Sequence, residues 1–341
     1  MAKHPFRHPT RISETHEKLR QKLRDFLEVK PEKLEEKIDY LYRRFREAEA
    51  ERYKSASDYH CCYCGEKRDR LDLDHFLPKG ATESHNNTAK YCHPKRNDLL
   101  EYYKYIAGDP SVKLSVSRQE KYFIDCCARE SYAKFCIEPT NIIPACPDCN
   151  TGGKGRDFAD APFKFGKGDL FPVMECESKE PLLLHPGKVN WKDLLDHFDF
   201  IDLNDPERNA RKPAWGGTAR STIVVPRFDK SLLELKFVKA ATAIEIFGLN
   251  RKALSEQRFR MRQLFRGILH AANSTKVAKG DPQSPTVFIK QNIPLHTAAF
   301  TIRAFICENP HKLALLDVLR EWLGSEFSRI ENLDRFLSPT L

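Results

Sequence analysis

Cysteine, histidine, aspartate and asparagine recur at close spacing in two short stretches of the chain. Cys61-Cys62-Tyr63-Cys64 leads on to Leu73-Asp74-His75, and Asn141-Ile142-Ile143-Pro144-Ala145-Cys146 leads on to Pro147-Asp148-Cys149-Asn150. Each stretch carries a CxxC pair. Together Cys61, Cys64, Cys146 and Cys149 supply the four thiolates of a closed tetrahedral zinc site, in which metal binding contributes folding energy directly. A purely structural zinc ribbon has no need of the residues beside them, Asp74, His75, Asn141 and Asn150. Histidine titrates near neutrality and so can take a proton from water. The carboxylate of Asp74 and the amide of Asn150 are hard oxygen donors, better suited to magnesium or manganese than to zinc. The blander alternatives are that Asp74-His75 is a turn or a satisfied polar pair and that Asn150 caps a following helix.

The order CxxC, Asp-His, Asn, CxxC-Asn resembles the HNH (His-Me finger) endonucleases in their zinc-stapled form. That resemblance implies a ββα unit holding one divalent metal. In it His75 is the general base, Asp74 and Asn150 (at the start of the helix) hold catalytic Mg2+ or Mn2+, Asn141 braces the loop and orients His75, and Lys154 brings charge near the phosphate. Phe76-Leu77-Pro78-Lys79 continues the likeness, with Lys79 either a phosphate contact or plain surface. Phe171-Pro172, Leu182-Leu183-Leu184-His185-Pro186, His197-Phe198-Asp199-Phe200 and the run from Ala243 to Leu249-Asn250-Arg251 extend it to a subgroup. That subgroup includes the HNH component of Septu-type anti-phage defence systems. It implies DNA as the substrate, with RNA as the alternative, and a separate ABC- or SMC-like ATPase as the partner protein. From residue types alone, a non-catalytic zinc module that binds nucleic acid or a partner stays open beside the nuclease.

Composition sets wider bounds. The 341 residues can bury a large core, and the formal net charge of +9 fits a polyanionic partner or a solvated basic surface. No apolar run is long enough to cross a bilayer and the start has no apolar signal segment, so the expected location is the cytoplasm, with no membrane contact. There the 11 cysteines are expected as thiols or metal ligands.

The elements that must position these residues are mostly helical. From about Ser13 to Tyr53, Leu19, Leu23, Phe26 and Leu27 form one stripe and Leu34, Ile38, Leu41, Tyr42 and Phe45 a second, which predicts an antiparallel helix pair on the core. Leu71 to Asp74 alternates as a strand. Between His75 and Asn141 lie 65 residues, enough for structure of their own, and 99–107 and 119–135 read as helices. Cys92, Cys126, Cys127 and Cys136 there lack regular ligand spacing and read as buried thiols; Lys90, His93, Lys95 and Arg96 are candidate backbone contacts to substrate. Thr222 to Pro226 reads as a strand, and a long helix from about 232 to 273 breaks near Gly248. Arg251, Lys252, Arg258, Arg260, Arg262 and Arg266 on it read as a basic surface, tracking a duplex or merely solvated. Closing helices are expected near 296–307, 311–323 and 327–336. The fold class is α+β, mostly α, with a ββα-metal HNH core embedded between helical regions. The expected domains are a basic arm and helix pair over 1–55, a nuclease core over 56–175 with a helical insertion at about 81–137, and a mainly helical domain over 176–341.

Overall fold

The computed structural model describes residues 8–9, 11–30, 33–79, 125–127, 132–151, 167, 170–173, 181, 183–203, 220–227, 234–278, 297–309, 311–324 and 327. Helix α1 runs from Glu14 to Val29. Its N-cap is Ser13, whose Oγ accepts from the His16 amide at 3.0 Å, and Glu14 and Glu17 place negative charge at the positive end of the helix dipole. His16, Leu19 and Leu23 form its buried stripe, while Phe26 and Leu27 are half-buried. Helix α2, Leu34–Ala56, buries Ile38, Leu41, Phe45 and Tyr53 against it. Arg20 of α1 grips the Glu138 carboxylate at 3.1 Å, and the His16 ring meets the Ile137 carbonyl at 2.7 Å. The helix pair is thereby fastened to the chain just ahead of Asn141.

Among the described residues the strands form three antiparallel pairs. Strand β1, Asp72–His75, pairs with β3, Ile142–Ala145, in the register Asp72 to Ala145, Asp74 to Ile143 and His75 to Ile142. Strand β2, Asp125–Cys127, pairs with β4, Leu170–Val173, and β5, Phe198–Asp202, pairs with β6, Thr222–Pro226. All of β3 is buried, packed by α2 on one side. Pro144 has no amide to donate, which a two-stranded ladder tolerates, and its carbonyl takes the Cys62 amide at 2.9 Å.

The remaining helices are α3 (Pro147–Thr151), α4 (Trp191–His197), α5 (Glu234–Ile246), α6 (Lys252–Ala278), α7 (Thr297–Glu308) and α8 (Lys312–Leu323). The break near Gly248 falls where expected, with that glycine at φ 55°. Helix α4 opens on a capping box between Asn190 and Asp193. One buried apolar cluster runs from Leu19 through Ile143 and Phe247 to Ala314, and a second joins Phe265, Ile302, Ile306 and Leu319 beneath α6, α7 and α8. No described helix is long and apolar enough to cross a membrane.

Two expectations fail here. Within 119–135, residues 125–127 are strand and Ala133–Phe135 is a 3-10 turn, because Asp125 to Cys127 are drawn into a ladder with β4. Of the basic residues read as a surface on α6, Lys252 and Arg260 are exposed, but the others are not. Arg258 and Arg262 are buried, as is Arg251 just before the helix, and Arg266 pairs with Asp202 and Glu321. Arg262 is bound by Asp202 at 3.1 Å, Asp317 at 2.6 Å and Glu321 at 3.0 Å, and so clamps α6 to β5 and α8. Acidic partners distant in sequence hold Arg251 and Arg262 in the polar interior of the C-terminal region. Lys90, His93, Lys95, Arg96, Cys92 and the expected helix at 99–107 lie outside the described residues, as does the one expected at 327–336 apart from Phe327.

A candidate metal centre and the polar cluster beside it

The four cysteines converge. Cys61 and Cys64 sit on a knuckle closed by Gly65, whose amide reaches the Cys61 carbonyl at 2.8 Å and whose φ of 78° is the left-handed conformation a glycine adopts without strain. Cys146 lies between β3 and α3, and Cys149 is the third residue of α3. All four sulfurs lie within 4.8 Å of one another, and Cys64 Sγ is 3.8 Å from Cys146 Sγ. Sulfurs placed tetrahedrally at about 2.3 Å from a zinc ion stand about 3.8 Å apart, whereas a disulfide needs about 2.05 Å. The cysteines are free, and the donor set and spacing fit zinc.

The thiols do not titrate alike. Burial pushes Cys61 and Cys149 well up. At Cys64 the same burial is outweighed by hydrogen bonds from Cys146, Cys149 and Cys61 and by the Arg251 guanidinium, which together hold it well down. Arg251 Nη2 lies 3.4 Å from Cys64 Sγ and Nη1 lies 3.8 Å from Cys149 Sγ, while Glu66 pairs with the same guanidinium. Burial opposes its charge, but Cys149, Cys64 and Glu66 hold its pKa above the ordinary arginine value. Arg68 adds ion pairs to Glu66 at 2.9 Å and Asp148 at 3.4 Å. Arginines around a thiolate set offset the charge that four sulfurs leave in excess of a dication. Neighbouring Asn250 pairs both its amide groups with the Val224 backbone at 2.7 and 2.8 Å. Asn250-Arg251 thus rivets β6 and α6 to the cysteine knuckle. The sequence showed the dipeptide but not this use, because Glu66 and Cys64 lie far away along the chain.

The second polar cluster lies further along the same strand pair. Asp74 and His75 are 4% and 7% exposed, so neither is a surface residue. Tyr63 donates to Asp74 Oδ2 at 2.6 Å. Lys167 stands 3.4 Å from the same carboxylate, is itself fully buried, and also donates to the His75 carbonyl. Burial raises the Asp74 pKa, and Lys167 and Tyr63 oppose it. Lys167 is the residue that sequence reasoning missed: nothing in Gly166-Lys167-Gly168 signals a buried ammonium.

His75 Nε2 lies 2.8 Å from the Cys136 carbonyl, and the ring rests 4.4 Å from that of Tyr42. A carbonyl accepts only, so Nε2 carries the proton and Nδ1 keeps its lone pair. Burial, with Lys167 and Lys79 adding to it, pushes the His75 pKa down to about 3 against the Cys136 bond, so the ring is neutral at neutral pH. Asn141 accepts from the Leu77 amide at 2.6 Å and donates to the Leu77 and Phe135 carbonyls at 3.0 Å, and its own carbonyl takes the Phe76 amide at 2.8 Å. It thereby fixes the chain leaving β1 immediately after His75.

Asn150 lies inside α3, not at its start: the helix begins at Pro147, a residue favoured in the first turn, and the Asn150 amide already bonds the Cys146 carbonyl at 2.9 Å. It is therefore not an N-cap. It is half-buried on a helix that packs against β1. Lys79 pairs with Asp39 at 2.5 Å, and Lys154 lies outside the described residues. Cys136 is fully buried, as expected of a structural thiol, and burial pushes it up to about 12. His185, from the outer motifs, meets the Thr140 carbonyl at 2.8 Å.

Compared with known proteins, the chain matches no family model, no curated sequence and no solved structure. What stands on the geometry is an α+β chain, mostly helical, with a candidate four-cysteine zinc site.

Proposed function

We propose that this chain is a metal-dependent endonuclease of the HNH type that hydrolyses phosphodiester bonds of DNA. The observation that carries the reading is the setting of His75. Its Nε2 is spent on a backbone carbonyl, its Nδ1 is left as a base, its neighbour is a buried carboxylate, and Asn141 holds the turn behind it. Two features support the reading: β1 and β3 pair antiparallel with α3 following β3, and the four cysteines cluster at one end of that pair.

The donor set of Asp74 and Asn150, one carboxylate and one amide, would suit Mg2+ or Mn2+, and such an ion would compete with the Lys167 ammonium for the carboxylate. When bound, such an ion neutralises charge on the phosphoryl oxygens and leaving group. His75 Nδ1 takes the proton of the attacking water. An anionic phosphate beside the ring raises its pKa from the depressed value, so the base strengthens as substrate arrives. Asn141 keeps the ring in register, and Lys167 holds Asp74 and the His75 carbonyl in one place.

The defence role, with a separate ABC- or SMC-like ATPase as partner, rests on the outer sequence motifs alone. A second reading, the non-catalytic zinc module, is favoured by the deep burial of His75 and by the Lys167 clamp on Asp74. The two separate on zinc-loaded protein offered single-stranded and duplex DNA and RNA with Mg2+ or Mn2+. The nuclease reading expects metal-dependent cutting of DNA that Asp74→Asn abolishes in a variant that keeps its zinc and its circular dichroism, with a melting temperature lowered by the loss of the carboxylate facing buried Lys167. Cutting confined to RNA would replace the substrate. Equal cutting by Asp74→Asn would remove the mechanism.

A further inference from the structure

A cavity of about 160 Å³ lies between the cysteine knuckle and the C-terminal helices. Cys61, Cys62 and Gly65 form one wall, and aromatic and aliphatic side chains, among them Trp191, Phe198 and Phe247, form most of the rest. Tyr63 lies stacked on Phe247 with ring centroids 4.0 Å apart, which makes that wall flat. Its nitrogen groups are His60, His311, Arg258 and Lys312, beside Ser57, Tyr63 and the cysteine sulfurs, and among the described residues no aspartate or glutamate lines it.

These nitrogen groups are short of partners. Nε2 of His60 and Nε2 of His311 are buried and make no hydrogen bond, while Nδ1 of His60 lies 3.6 Å from the Asp58 carboxylate. Arg258 is buried and bonds only the Thr222 and Leu249 carbonyls, so its charge meets no carboxylate, and Lys312 forms no ion pair among the described residues. A buried polar atom without a partner costs about 1–3 kcal/mol, and native folds keep few of them without reason. Two unpartnered nitrogens, at His60 and His311, and two cations without a carboxylate partner among the described residues line this largely apolar cavity and favour an occupant that accepts hydrogen bonds and carries negative charge.

We infer that this cavity binds a small planar anion, one ring bearing a carboxylate, with the ring against the Phe247 wall and the carboxylate toward His311 and Lys312. The volume matches a single ring: a dry cavity of about 150 Å³ holds benzene. The ligand would touch the knuckle on one side and the start of α8 on the other, so occupancy would tie the cysteine core to the C-terminal helices. The site is separate from Asp74 and His75 and stands whether or not the chain cuts nucleic acid.

The test uses full-length zinc-loaded protein and benzoate as the probe, with toluene (ring without charge) and acetate (charge without ring) beside it, by calorimetry and melting temperature. Benzoate is expected to bind saturably and raise the melting temperature, with both comparison compounds at least about tenfold weaker. His311→Leu and Lys312→Gln are each expected to weaken benzoate by about tenfold. Lys312 is half-buried, so its variant keeps the test valid if His311→Leu fails to fold, as judged by zinc content and circular dichroism. Absence of saturable benzoate binding, as for a cavity filled with water, overturns the inference. So does binding that the folded Lys312→Gln variant leaves unchanged, or toluene binding as tightly as benzoate.

Discussion

The two polar clusters on the β1–β3 pair balance their charge in opposite ways. At the cysteine end, four sulfurs lie at zinc-ligand spacing with arginines and acids packed round them, and only a dication completes the set. At the Asp74 end, an ammonium already faces the carboxylate, and tyrosine and backbone satisfy the rest. One cluster is unfinished without an ion, whereas the other is finished without one. The first should therefore govern stability. At the second, an ion should matter for turnover and little for folding.

The largest effect separates them outright. Removing zinc by chelation, or Cys149→Ser, should abolish cooperative unfolding, since structural zinc contributes about 10–16 kcal/mol in small zinc domains. Magnesium or manganese should not restore it. Zinc content and thermal melts check this, and an unchanged melt in the metal-free protein would contradict it. Arg251→Met should cost about 3–5 kcal/mol, because Glu66 and the thiolates lose the buried charge that faces them. Denaturant titration reads that loss, and a variant within experimental scatter of wild type would mean the guanidinium is incidental. Lys167→Met should cost less, about 1–3 kcal/mol, since an abandoned Asp74 can protonate where a metal-bound thiolate set cannot.

The smallest effect concerns pH. Burial, with Arg258 the next contributor, pushes His311 down to about 3, while a histidine in an unfolded chain titrates near 6.5. The unfolded state then binds the proton more readily, so the contribution of His311 is fully present above pH 6.5 and is lost as pH falls towards 3. The loss is about 2 kcal/mol at pH 5. Melts of wild type and His311→Gln at fixed zinc should converge as pH drops from 7 to 5, and parallel curves would rule the titration out.

How much of this was legible in the sequence depended on distance along the chain. The cysteine set, the strand at Asp74, the stripes of α1 and α2 and the break at Gly248 could be read because spacing and periodicity are local signals. Asn141 was readable as a brace, and its bonds to Leu77 and Phe135 are those of one. The arginine-rich start of α6 was misread, because arginine is usually solvated and nothing near Arg262 announces Asp202 or Asp317. Lys167 and the cavity histidines were invisible for the same reason. A lone lysine or histidine acquires its meaning from neighbours that only folding brings close.

The most direct measurement is cleavage of supercoiled plasmid by zinc-loaded wild type beside His75→Ala, with EDTA, Mg2+ and Mn2+ as separate conditions and zinc content confirmed in both proteins. The nuclease reading predicts metal-dependent relaxation or linearisation by wild type alone, with His75→Ala equally folded and inactive. Equal cutting by His75→Ala, or cutting that persists in EDTA, would contradict it.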